Sequence, residues 1–241
     1  MVALYLRRGL AAGLLAGLLA GLFAYVAGEP LLDRAIGLEE SAHAHGDHTH
    51  DTGEDEEVFS RSIQKVGLFF ATGLSGTFVG GLFGLAFAYF RERLNAETDW
   101  GRSLSLAAAI FAGAVLIPFL KYPPNPPTVG DPATIGARTA AYFATVGLSL
   151  LAVLAAWRAS RVLKERGMSQ PVRHVVVGLG FTVFVTLLFV SLPANVNPED
   201  FPAGLLWSFR ISSLGAQLVL WTGLGVIFGA LCERARRKEA A

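Results

Sequence analysis

The chain has 241 residues, 53% of them hydrophobic and 16% charged, with 27 glycines and a formal net charge of +1. Soluble domains average about 25% charged residues, so this composition, with a mean hydropathy of +0.49, reads as an all-α, polytopic helical membrane protein and excludes a disordered chain. No basic excess exists for nucleic acid, and the single cysteine, Cys232, rules out an internal disulfide or a multi-cysteine metal site.

Six apolar stretches approach the roughly 20 residues that a membrane-crossing helix needs: 6–27, 66–90, 103–120, 139–157, 172–192 and 211–231. Arg7 and Arg8 precede the first, but its apolar run exceeds the roughly 7–15 residues of a signal-peptide core, which predicts an uncleaved span. The chain is expected to form a single membrane domain over residues 1–241. Residues 29–65 are expected to form an extracytoplasmic His- and acid-rich loop between the first two spans.

Basic residues alternate between the connecting segments. The N-terminus, the second loop (Arg91, Arg93, Arg102), the fourth loop (Arg158, Arg161, Lys164, Arg166, Arg173) and the tail (Arg234, Arg236, Arg237, Lys238) hold 14 of the 20 Lys and Arg residues. The positive-inside rule then predicts that both termini are cytoplasmic and that the protein sits in the inner membrane. Trp100 and Trp157 fall at the cytoplasmic boundary and Trp207 at the outer one, where amphipathic rings belong. The cytoplasmic segments carry 14 basic and 6 acidic residues, and the outer ones 6 basic and 13 acidic.

Glycine recurs every four residues at Gly9, Gly13, Gly17 and Gly21, at Gly76, Gly80 and Gly84, and at Gly225 and Gly229. Residues four apart share a helix face, and a smooth face lets another helix approach closely in lipid. The stripes suit packing within the chain first, with a homo-oligomer or a docked partner helix, best on the first span, as the alternative. Two outer loops are proline-rich: 121–132 contains Asn125 and Asp131, and 192–202 contains Asn195 and Asn197. Proline makes both stiff and non-helical, either as rigid connectors or as a vestibule of oxygen ligands. The apolar segment 203–210 that follows is expected to lie in the interface before the sixth span.

Four of the five histidines fall within eight residues: His43, His45, His48 and His50, interleaved with Asp47 and followed by Asp51. Neutral imidazole is the commonest ligand of first-row divalent metals. Two H-x-H pairs with added carboxylates predict metal binding outside the cytoplasm, weakening below the histidine pKa of about 6.5. The acidic run 54–57 adds a field that concentrates cations. Ligand type alone does not select the metal; copper, nickel and zinc compete well with cobalt at such a site. Glu29 and Asp33, just past the first span, are candidate mouth residues, and His174, at the start of the fifth, is either an interfacial residue or an exit-side ligand. No G-x-x-x-x-G-K-[ST] phosphate loop, H-E-x-x-H motif or pair of intramembrane acids occurs, so neither an ATPase nor a membrane enzyme is expected, and no organic cofactor.

Together these residues resemble the CbtA family of predicted cobalt transporter subunits. The resemblance lies in the Gly-striped first span, Glu29-Pro30, residues 35–40, the His-rich loop and Gln64-Lys65-Val66-Gly67. It continues through Pro118–Pro127 with Gly130-Asp131-Pro132, and through Pro193–Pro202 into Leu205–Arg210. It implies cobalt uptake linked to cobalamin synthesis, and a small single-span, His-bearing partner, CbtB. The family is usually described with five spans, whereas six are counted here. Cobalt as substrate, with nickel as the alternative, comes from the resemblance alone. The runner-up reading is a non-transporting accessory or sensor protein.

Overall fold

The computed structural model describes residues 1–45, 60–126, 129, 132–194 and 201–239, which form helices and turns with no strand among them. Six helical runs are long and apolar enough to cross a membrane: Val2–Leu38, Arg61–Arg93, Asp99–Lys121, Ile135–Glu165, Gln170–Ser191 and Ala203–Arg237. Every expected span lies within one of them, to within a residue at its ends.

The first run joins α1 (Val2–Phe23), a π-helical turn (Ala24–Gly28) and α2 (Glu29–His45). The third is built the same way, from α4 (Asp99–Phe111), a π turn (Ala112–Leu116) and α5 (Ile117–Lys121). In both, a proline stands two residues after the π turn: Pro30 and Pro118. Proline has no N–H, and in a regular helix its ring collides with the carbonyl four residues back. One extra residue in the preceding turn relieves that collision. The amide of Glu29 accordingly reaches back five residues to Ala24, and that of Ile117 to Ala112. The helix then continues to His45, well into the segment read as a loop. Pro30 is tolerated in a first turn, and Leu31, Leu32, Ala35 and Leu38 favour helix.

The structure divides into two compact units. The first comprises Met1–Ala107, Asn125–Val129 and Phe201–Ala241. Its core is the antiparallel contact of α1 with α3 (Arg61–Phe90), against which α8 (Ala203–Glu239) packs. Gly9, Gly13, Gly17 and Gly21 face Gly84, Gly80, Gly76 and Thr72 in turn. A Cβ on Gly80 would stand 2.6 Å from the Gly13 Cα, so the two backbones touch with no room for side chains. The longest glycine stripe is therefore used inside the chain. Phe87 and Phe228 meet edge to face at 4.8 Å, with Tyr5 and Phe83 beside them. The Ser103 hydroxyl donates to the Gly225 carbonyl at 2.7 Å, seating α8 on α4.

Near the start of α4, Asp99 is 5% exposed. It accepts from Arg91 Nε at 2.8 Å, Arg91 Nη2 at 3.1 Å and Arg102 Nη1 at 3.0 Å. Its own amide donates to Glu233 Oε1 at 3.0 Å, so one residue ties α3, α4 and α8 together. The segment 203–210 forms the first two turns of α8 rather than a separate interfacial piece.

The second unit comprises Ala108–Pro124 and Gly130–Asp200, and the boundary falls inside the third run. Here α6 (Ile135–Glu165) packs against α7 (Gln170–Ser191) and the second π turn. In the five-back register of that turn, the Gly113 carbonyl looks to the amide of Pro118, which has no hydrogen. The Ser149 hydroxyl, fully buried, takes its place at 2.5 Å. Gly167, at φ +79°, ends α6, and Met168 N–H bonds back to the Leu163 carbonyl at 3.0 Å, reversing the chain into α7.

Gly80→Ala is expected to destabilise the purified protein by about 1–3 kcal/mol, through overpacking against backbone. Gly147→Ala, where nothing lies within 4 Å of an added Cβ, should leave the melting temperature unchanged or raised. Equal melting of the two variants in a thermal unfolding assay would refute the backbone contact.

Candidate metal-entry site

Glu29 and Asp33 stand one turn apart on α2 and so share a face. Opposite them, Arg61 is the first residue of α3. Its Nη2 donates to Glu29 Oε2 at 2.9 Å and to Asp33 Oδ1 at 2.5 Å, while Nη1 donates to Gln64 Oε1 at 2.7 Å. Lys65 Nζ completes the cluster with Asp33 Oδ2 at 3.0 Å. Two carboxylates thus meet two cations. The Glu29 carboxylate is 12% exposed and that of Asp33 45%. A metal ion arriving at either group exchanges with a guanidinium rather than entering a vacant site.

This cluster joins the two helices that flank residues 46–59. From Asp33, α2 continues twelve residues to His45, about 18 Å at the rise of an α-helix. His43 and His45 therefore stand well beyond the ion pairs, on the last turn of α2. The side chains of His43 and His45, and the residues Asp47, His48, His50 and Asp51, lie outside the described residues. Among the described residues, no three His, Cys, Asp or Glu side chains come together as a metal site.

Asn125 belongs to the first unit and accepts from Arg210 Nη2 at 2.8 Å. Arg210 is 2% exposed, two turns into α8, with its guanidinium carbon 5.4 Å from the Trp207 ring centroid. Sequence reasoning placed Arg210 among the outer loop residues and missed its burial. The available signal was a lone charge inside the apolar run from Leu205 to Leu214. In the second unit the roots of the two proline loops meet. Tyr122 Oη donates to the Pro193 carbonyl at 2.7 Å, and Lys121 Nζ to the Phe189 carbonyl at 2.7 Å. Burial pushes the Tyr122 phenol above its ordinary pKa, which keeps it a donor. Asp131, Asn195 and Asn197 lie outside the described residues. His174 is exposed in the first turn of α7, in the second unit.

Six helical runs of membrane-crossing length fit a multi-pass membrane protein, and comparison with protein families supplies its class. The family model of the probable cobalt transporter subunit CbtA matches residues 2–233. The chain belongs to the CbtA family. No curated protein and no solved structure matches it. As a CbtA-family member it is a multi-pass membrane subunit of a metal transporter and not an enzyme. "Subunit" implies a partner, and the six apolar runs imply a bilayer around it.

The Glu29–Arg61 pair is expected to show a coupling of about 1 kcal/mol in a double-mutant cycle read by thermal unfolding, and the more exposed Asp33–Arg61 pair less. Both couplings should shrink as salt is added. Zero coupling at low salt for both pairs would remove the cluster as a clasp.

Proposed function

We propose that this CbtA-family subunit imports a divalent transition metal ion, cobalt in preference to nickel. His43, His45, His48 and His50, with Asp47 and Asp51, capture the ion outside the cytoplasm. The observation that carries this reading is the extension of α2: a helix leaves the apolar span, is clasped at its base to α3, and ends on the histidines. The distribution of basic residues supports cytoplasmic termini in an inner membrane, with the His-rich segment facing outward. The chain works as one membrane domain, since the third span runs continuously through the boundary between its units.

In this reading Glu29, Asp33, Asn125, Asp131, Asn195 and Asn197 line the outer mouth, and His174 serves the exit side. The partner is a small single-span, His-bearing CbtB-like subunit. Contact with that partner, or with a second copy of this chain, falls to faces other than the α1 stripe, which α3 occupies. Cobalt rather than nickel rests on the family alone. A second reading, an accessory or sensor that binds metal without moving it, draws on the lack of any three-ligand cluster among the described residues. Reconstitution with the partner separates the two, because an accessory moves no cobalt into vesicles.

In cells lacking other importers, changing His43, His45, His48 and His50 together to Ala should reduce uptake at limiting cobalt and leave it nearly normal at saturating cobalt. Wild-type uptake should fall as the medium is acidified below about pH 6.5, because protonated imidazole cannot coordinate, and the four-alanine variant should lose that dependence. Unchanged uptake at limiting cobalt would eliminate the capture role while leaving transport itself standing. A nickel competition run alongside reads the selectivity.

A further inference from the structure

Where α4 starts and α8 finishes, the first unit holds a groove of about 560 Å³ lined by Thr98, Trp100, Ala230, Glu233, Arg234 and Arg237. Its cations are unequal in their commitments. Arg91 and Arg102 are bound by Asp99, and Arg236 by Glu233 Oε2 at 3.0 Å. Glu233 is itself fully engaged, since its other oxygen accepts the Asp99 amide. Arg234 and Arg237 make no ion pair or hydrogen bond among the described residues, and both are exposed. They stand three residues apart and share one face of α8. Two uncommitted guanidiniums thus border a groove whose one carboxylate is already taken.

The other wall is apolar. Trp100 is 37% exposed in the first turn of α4, where an apolar span begins, and Ala230 lies near the end of the apolar part of α8. Indole rings favour the level of lipid headgroups, and guanidinium forks bind phosphate oxygens in pairs. A ligand that fills this groove carries an anionic phosphate at one end and a hydrocarbon body at the other. Free phosphate meets the first demand only.

We propose that this groove binds the headgroup of an anionic phospholipid, with Arg234 and Arg237 holding the phosphate and Trp100 packing against the glycerol and upper acyl chain. The site anchors the end of α8, and through Glu233 and Asp99 the junction of α3, α4 and α8, to the charged surface of the membrane.

Native mass spectrometry of the intact protein, delipidated and then offered phosphatidylglycerol or phosphatidylcholine, tests this. The wild type is expected to retain phosphatidylglycerol about thirtyfold better, at roughly 1 kcal/mol for each of the two basic residues near an anionic lipid surface. R234Q/R237Q should abolish the preference, and excess inorganic phosphate should not displace the lipid. Separately, phosphatidylglycerol brominated on its acyl chain should quench tryptophan fluorescence more than brominated phosphatidylcholine, and W100F should remove the difference. Equal retention of the two lipids, a preference that survives R234Q/R237Q, or displacement by inorganic phosphate would each overturn the proposal. Should the double variant fail to fold by circular dichroism, R237Q alone is expected to lower the preference about fivefold, and no change there overturns it.

Discussion

The ion pairs between α2 and α3 in the first unit depend on the backbone contact between α1 and α3. Without side chains between them, the two helices lock in a single register, glycine against glycine from Gly9–Gly84 to Gly17–Gly76. Extending that register along the pair brings Tyr25 to Phe69, at 5.8 Å between ring centroids, and then Glu29 and Asp33 to Arg61 and Lys65. The ion pairs are thus a consequence of the glycine contact as much as a cause of it. In lipid no hydrophobic force draws helices together, so close packing of bare backbone is what sets the position of the clasp. The clasp in turn sets where residues 46–59 leave and rejoin the helices.

The two π turns show how the same span tolerates a proline that breaks a helix in water. Inside a bilayer each orphaned backbone group costs several kcal/mol, so irregular backbone persists only where something takes over the lost bond. The Gly113 carbonyl is answered by Ser149, a fully buried hydroxyl from the next span. The spacing is identical in the first and third runs, five residues of π turn, one residue, then proline. Pairs of spans with matching interruptions often mark working parts of transporters, yet both of these helices run in the same direction through the alternating topology, so they are not halves of an inverted repeat.

The number and type of the membrane-crossing helices were legible in the sequence, because apolar runs of bilayer length admit few other folds; their full lengths were not, since the helices run on past the apolar stretches. The four-residue glycine period was legible as a face, but not its partner, since any smooth face can meet any other. The apolar run ended at residue 27 and the polar stretch after it was read as a loop, whereas the π turn, which leaves no clear periodic mark, carries the helix on to His45. Arg210 was misplaced for a related reason. Its charge suggested a loop, whereas Asn125 from the proline loop and the Trp207 ring allow it to be buried. Of the site residues, Glu29 and Asp33 were recognised as a pair of acids near the mouth, but a pattern of acids carries no information about Arg61 thirty residues away.

That pairing changes what Glu29 and Asp33 can offer a cation. A dehydrated divalent ion costs tens of kcal/mol to place in apolar surroundings unless ligands replace its water. The described spans offer hydroxyls, and several of the buried ones are spent: Ser103 on Gly225, Thr145 on Ala141, Ser149 on Gly113. The carboxylates that stand ready, Glu29 and Asp33, are held by Arg61 and Lys65. Concentrating a metal and conducting it therefore need different ligand sets, and the capture proposed for the histidine segment answers only the first need. Conduction at membrane depth calls for ligands beyond the described side chains, and membership in a family of transporter subunits admits a partner as one source of them.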